Sequence, residues 1–173
     1  MNWLALFGDV LFKMESSNIE NKNAENADNK ELKNDIKVEA RNPYTMNTGV
    51  LAFLGDSVYE LYIRDLLVGA GMHDPDAMHR ACTKYVRAES QAMAIKAMMK
   101  EHDGKAFLTD EEIALVKRAR NHKMPNRSRS AGPVEYKLAT AFEALVGYLY
   151  LTGDSNRLGE VMQKAAALIA KGE

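Results

Sequence analysis

From Met46 onward the chain repeats apolar residues at steps of three and four. Leu51, Leu54, Val58, Leu61 and Tyr62 mark the first run, and that spacing gathers them on one side of an α-helix. Asp74-Pro75 interrupts the pattern. Pro75 suits the first turn of a new helix, where its missing N–H would have no intrahelical partner. Ala77–Met99 is rich in Ala, Met, Lys and Gln, good helix formers, and accommodates two helices with a bend near Val86. His102-Asp103-Gly104 ends that run. Thr109-Asp110-Glu111-Glu112 has the form of a capping box, with Thr109 as cap and Glu112 reaching back, and opens a helix to about Arg120. Asn121–Pro133 is a polar loop. Val134–Leu151 is a strongly apolar helix, stopped by Gly153-Asp154, and a last helix covers about Asn156–Ala170. No stretch alternates apolar and polar residues as a half-buried strand would. The expected fold class is therefore all-α. Parts of the first and penultimate helices are apolar on most faces, which suits the centre of a bundle or an oligomer interface.

Residues 15–41 break with this patterning. Asn, Glu, Lys and Asp dominate and aromatics are absent, so the segment cannot bury enough surface to offset its ordering entropy. The expected division is an extension over 1–41, disordered or loosely helical, and a folded domain over 42–173, starting near Asn42-Pro43. LALFGDVLF at Leu4–Phe12 echoes LAFLGDSVY at Leu51–Tyr59. Only the second copy continues into a long amphipathic pattern, so the first reads as chance or as a short docking helix.

Composition adds boundaries more than direction. The formal net charge is -1, so any basic patch is local. One cysteine, Cys82, excludes an internal disulfide and fits a reducing cytoplasm. No apolar run approaches the ~20 residues that span a bilayer, and the apolar N-terminus lacks a leading positive charge. The expectation is a cytoplasmic protein with no membrane partner.

Two lone carboxylates are the conspicuous chemistry. Asp56 sits inside LAFLGDSVYE, and Glu143 is the only charge between Lys137 and Asp154. An unpaired buried carboxylate is costly, so each needs a partner. Small residues flank both, Ala52 and Gly55 on one helix and Ala139, Ala144 and Gly147 on the other. If the helices cross there, the two carboxylates share one pocket. They would then repel, and one would take a proton unless a cation lay between them. Mg²⁺ favours one or two carboxylates plus waters. On spacing alone, this reading and separate pairing of each carboxylate with a basic residue stand level. Glu60 and Arg64 are spaced as an i,i+4 ion pair.

A basic loop is the second feature. From Lys117 to Lys137 there are seven basic residues, Lys117, Arg118, Arg120, Lys123, Arg127, Arg129 and Lys137, against one acid, Glu135. A helix C-terminus favours cations, which accounts for Arg118 and Arg120 but not for the loop residues that follow. Phosphate contact accounts for all of them. No aromatics interleave with them, which disfavours single-strand stacking and favours the backbone and shape recognition used on double-stranded RNA. The four histidines show no metal-ligand spacing, Cys82 reads as core filling, and Met93–Met99 reads as adaptable packing.

LAFLGDSVYELYIRDLLV, KRARNHK and ATAFEALVGYLYL, in this order, resemble Mini-ribonuclease III, the short relative of ribonuclease III that lacks a double-stranded-RNA-binding domain. The resemblance covers about Met46 to Ala170. It implies the all-α ribonuclease III catalytic domain, a homodimer, and Mg²⁺-dependent hydrolysis of double-stranded RNA to 5′-phosphate products, with Mn²⁺ able to substitute. It implies precursor 23S ribosomal RNA as substrate and a ribosomal protein as an assisting partner. Asp56 matches the signature aspartate and Glu143 the catalytic glutamate, both as metal ligands. Lys117, Arg118, Arg120, Lys123, Arg127 and Arg129 would hold RNA phosphates. Full-length ribonuclease III has acids where this chain has Ala52 and Thr140, and Mini-ribonuclease III lacks them too. Their absence leaves a second reading open, a non-catalytic all-α RNA-binding module in ribosome assembly.

Overall fold

The computed structural model describes residues 42–102, 105–122 and 132–172. The extension expected over 1–41 lies outside the described residues, as do Lys123, Arg127 and Arg129. Among these described residues six helices follow in order: α1 Thr48–Gly69, α2 Pro75–Val86, α3 Ala88–Met98, α4 Asp110–Arg120, α5 Pro133–Thr152 and α6 Ser155–Lys171. The all-α expectation holds for the architecture. One departure is a two-residue antiparallel ladder, β1 Glu101–His102 with β2 Lys105–Ala106. A ladder that short has no room for the alternation that marks a strand in sequence.

Local chemistry sets the boundaries. Asn47 caps α1 by accepting from the Gly49 N–H at 2.8 Å. Asp74 caps α2 with Pro75 in its first turn. Arg87, with φ -65° and ψ 148°, leaves the helical region and makes the predicted bend between α2 and α3. The Ser90 hydroxyl ties that bend, donating to the Lys84 carbonyl at 2.7 Å and accepting from the Arg87 Nε–H at 3.1 Å. At α4 both halves of the capping box form. Thr109 Oγ1 accepts from the Glu112 N–H at 3.2 Å, and Glu112 accepts from the Thr109 N–H at 2.9 Å. Gly153, at φ 74°, ends α5 in the left-handed conformation that glycine adopts without a Cβ penalty.

α5 runs through the middle and packs against α1, α3, α4 and α6. Its Phe142, Leu145 and Val146 are fully buried. The closest crossing is with α1, where glycine faces glycine. A Cβ on Gly55 would collide with the Glu143 carbonyl oxygen and lie 2.7 Å from the Gly147 nitrogen. A Cβ on Gly147 would collide with the Leu51 carbonyl oxygen and lie 3.1 Å from the Gly55 nitrogen. Buried Tyr59 of α1 then meets Phe142 of α5 edge-on, with ring centroids 4.8 Å apart. Elsewhere, Arg157 of α6 reaches the buried Glu112 carboxylate with two bonds of 2.8 Å and donates to the Phe107 carbonyl at 2.8 Å. Cys82 is buried, as expected, and of the three methionines in the Met93–Met99 run Met98 is fully in the core, while Met93 and Met99 are half-buried.

Candidate active site

The α1–α5 crossing carries both lone carboxylates to one place. A cleft of about 340 Å³ is lined by Gly49, Ala52, Phe53 and Asp56 of α1, and by Tyr136, Ala139, Thr140 and Glu143 of α5, with Val86 and Ala88 closing it at the α2–α3 bend. The α1 set is spaced i, i+3, i+4, i+7, and so is the α5 set. Each is one stripe of a helix. The glycine contact makes the two stripes face each other, because it lets the backbones approach where side chains would hold them apart. Ala52 and Thr140, where full-length ribonuclease III has acids, line this same cleft.

The electrostatics follow from that placement. Burial first, and the Asp56 charge second, push the Glu143 carboxyl up from 4.5 to about 7, against a smaller opposite pull from the nearby Gln91 amide. Asp56 is also raised, by burial first and by Glu60 second. Among the described residues no lysine or arginine pairs with either carboxylate. Glu60 is paired with Arg64 at 2.6 Å, the i,i+4 pair expected from the sequence. Two unneutralised carboxylates facing one open cleft fit a hard divalent cation completed by water. No third His, Cys, Asp or Glu joins them among the described residues.

The basic residues are placed less uniformly. Lys117, Arg118 and Arg120 are exposed in the last turn of α4. Arg118 donates to the Tyr44 carbonyl at 3.0 Å and lines a different cleft with Tyr44, Glu111 and Tyr148. That cleft holds neither carboxylate. Gly49, Phe53, Ala88 and Tyr136 in the cleft wall, and Gln91 near Glu143, are not marked as site residues by the sequence, and Val86 is marked there only as a bend. The one available signal was for Gln91, a polar residue in register with Ile95 and Met98 on the buried face of α3.

The profile of the ribonuclease III domain matches residues 49–154, the span that contains both carboxylates and the helices that cross. A Mini-ribonuclease 3 from Brevibacillus brevis is 40% identical over 129 residues, covering 75% of this chain and 92% of that protein. The chain belongs to the Mini-ribonuclease III branch of the ribonuclease III family. Another Mini-ribonuclease 3, from Symbiobacterium thermophilum, is 42% identical over 132 residues, covering 76% of this chain and 97% of that one. A Fusobacterium nucleatum protein of known crystal structure superposes with a TM-score of 0.60 at 29% identity, over 74% of this chain and 94% of that one. As a Mini-ribonuclease III member the chain is an endoribonuclease of the ribonuclease III type, with double-stranded RNA as its substrate class. No described helix is long and apolar enough to cross a membrane.

Proposed function

We propose that this chain matures the ends of precursor 23S ribosomal RNA by cutting its duplex stem, with Asp56 and Glu143 as the ligands of a Mg²⁺ ion that Mn²⁺ can replace. The observation that carries the reading is the shared cleft: two carboxylates on crossing helices, neither neutralised by a described basic residue. When bound, the cation would lower the pKa of a coordinated water and offset charge on the phosphate. Asp56 and Glu143 fix its position from two rigid helices. Ala52 and Thr140 leave the cleft wide beside them. Lys117, Arg118 and Arg120, with Lys123, Arg127 and Arg129, hold flanking phosphates and orient the duplex.

A homodimer is part of this proposal. Val50, Phe53, Leu61 and Val68 of α1 are exposed, Phe53 to 81%. They share one stripe at helical spacing, away from the buried face. An apolar stripe of that length suits a second copy of the chain. A ribosomal protein is the expected helper on the RNA, and the cytoplasm the expected compartment.

The test is cleavage of a 23S end-stem duplex with Mg²⁺, with Mn²⁺ and with EDTA. Asp56→Asn and Glu143→Gln should each abolish cutting and retain RNA binding. Wild-type rates in either variant would remove the metal-site assignment. Salt-sensitive binding with no cutting under any metal would instead favour the non-catalytic module.

A further inference from the structure

Gln91 stands out in the core of α3. It is fully buried, yet neither its Nε2 nor its Oε1 finds a hydrogen-bond partner. Of the four buried side-chain polar atoms left unpartnered among the described residues, two belong to this one amide. Burying an amide without partners is unfavourable, and an apolar residue of similar shape would serve packing as well or better. Its neighbours on α3 make that choice elsewhere, with Ala92, Ala94, Ile95 and Met98 all buried. What sets position 91 apart is its place. Ala88, one turn earlier on the same face, lines the cleft with Asp56 and Glu143. The Gln91 amide lies close enough to Glu143 to favour its ionised form, without completing a hydrogen bond. The α2–α3 bend that fixes the start of this helix is itself tied by Ser90. The amide is thus delivered by a rigid element to the back of the cleft, with a free donor beside a carboxylate.

We propose that Gln91 is a positioning residue, whose Nε2–H holds the Glu143 carboxylate in the orientation that faces Asp56. The inference rests on the site reading above. Groups that orient metal ligands in this way typically change activity or metal affinity by about 10–100-fold when lost. Gln91 touches neither RNA nor the reacting atoms, so its effect is confined to the geometry of Glu143.

The test compares Gln91→Leu and Gln91→Met with wild type, alongside Asp56→Asn and Glu143→Gln. Both apolar variants should lower kcat on duplex RNA by about 10–100-fold, leave KM unchanged, and melt no lower than wild type. Retained kcat in both overturns the proposal, and so does a fall in kcat that merely tracks a fall in Tm. A readout without metal is the side-chain NH₂ resonance of Gln91 in wild-type protein in EDTA. It should shift when Glu143 becomes Gln, and an unmoved resonance overturns the proposal whether or not the Gln91 variants fold. If Asp56→Asn and Glu143→Gln both cleave normally, the site reading itself fails. If they are inactive and the Gln91 variants are normal, only the role of Gln91 fails.

Discussion

Glu143 and Asp56 were visible in the sequence because each is a charge on an apolar helix, a conflict between residue and pattern. The conflict persists in the fold as a proton. Glu143 titrates near 7 when folded against 4.5 ordinarily, chiefly through burial and then through Asp56. Between those values the folded chain binds more protons than the unfolded one, so its contribution to stability is present at low pH and is lost as pH rises toward 7. Metal-free wild type should therefore lose melting temperature across that window relative to Glu143→Gln, which carries no titrating group there. Melting curves in EDTA check this, and parallel pH profiles for the two proteins would place the proton elsewhere. Gln91 was not visible in the same way. Glutamine is a good helix former, so its one mark in a helical run is its register with Ile95 and Met98. Its meaning appears only when α3 is laid against α5 and the amide is found without partners.

At the level of elements, most boundaries followed from side-chain chemistry close in sequence. The Thr109 capping box, the Asp74-Pro75 start and the bend near Val86 all form where the residues predict them. The two-residue ladder was illegible because pairing that brief depends on its turn and not on patterning. The small residues of α1 and α5 predicted a close crossing, and the backbone contact between Gly55 and Gly147 bears it out. Gly55→Ala or Gly147→Ala must push one helix off the other, because the colliding atoms are backbone and cannot rotate away. Overpacking typically costs about 1–3 kcal/mol, and these two should lie at the upper end in denaturant melts. A variant as stable as wild type would mean that the helices slide freely. The Arg157–Glu112 pair is a second element-level test. Glu112 is buried, and Arg157 is its charge partner across α4 and α6. Arg157→Ala should destabilise by about 3–5 kcal/mol, since it leaves a buried carboxylate with the Thr109 N–H but without its charge partner. A loss below about 1 kcal/mol, the range of exposed pairs, would show that water replaces the guanidinium.

For the whole molecule, one helix serves two surfaces. α1 gives Asp56 to the cleft and exposes Val50, Leu61 and Val68 along another face. Its apolar character on most faces suits either a bundle centre or an oligomer interface, and the sequence does not say which face is left uncovered. Leu61→Glu, outside the cleft lining, should shift a dimer toward monomer in light scattering. An unchanged mass would assign the stripe another role. On the RNA side, replacing Lys117 and Arg120 with alanine should weaken duplex binding at all sequences. It should also lower the salt slope by roughly one unit per lost phosphate contact. An unaltered slope would remove the α4 terminus from the interface. The joint between Gly55 and Gly147 has a consequence of its own. The two carboxyl groups hang from rods that touch through their main chains, so nothing short of melting can part them. A thermometer and a gel should then register one event, with RNA cutting and helical ellipticity vanishing at the same midpoint as the protein is warmed.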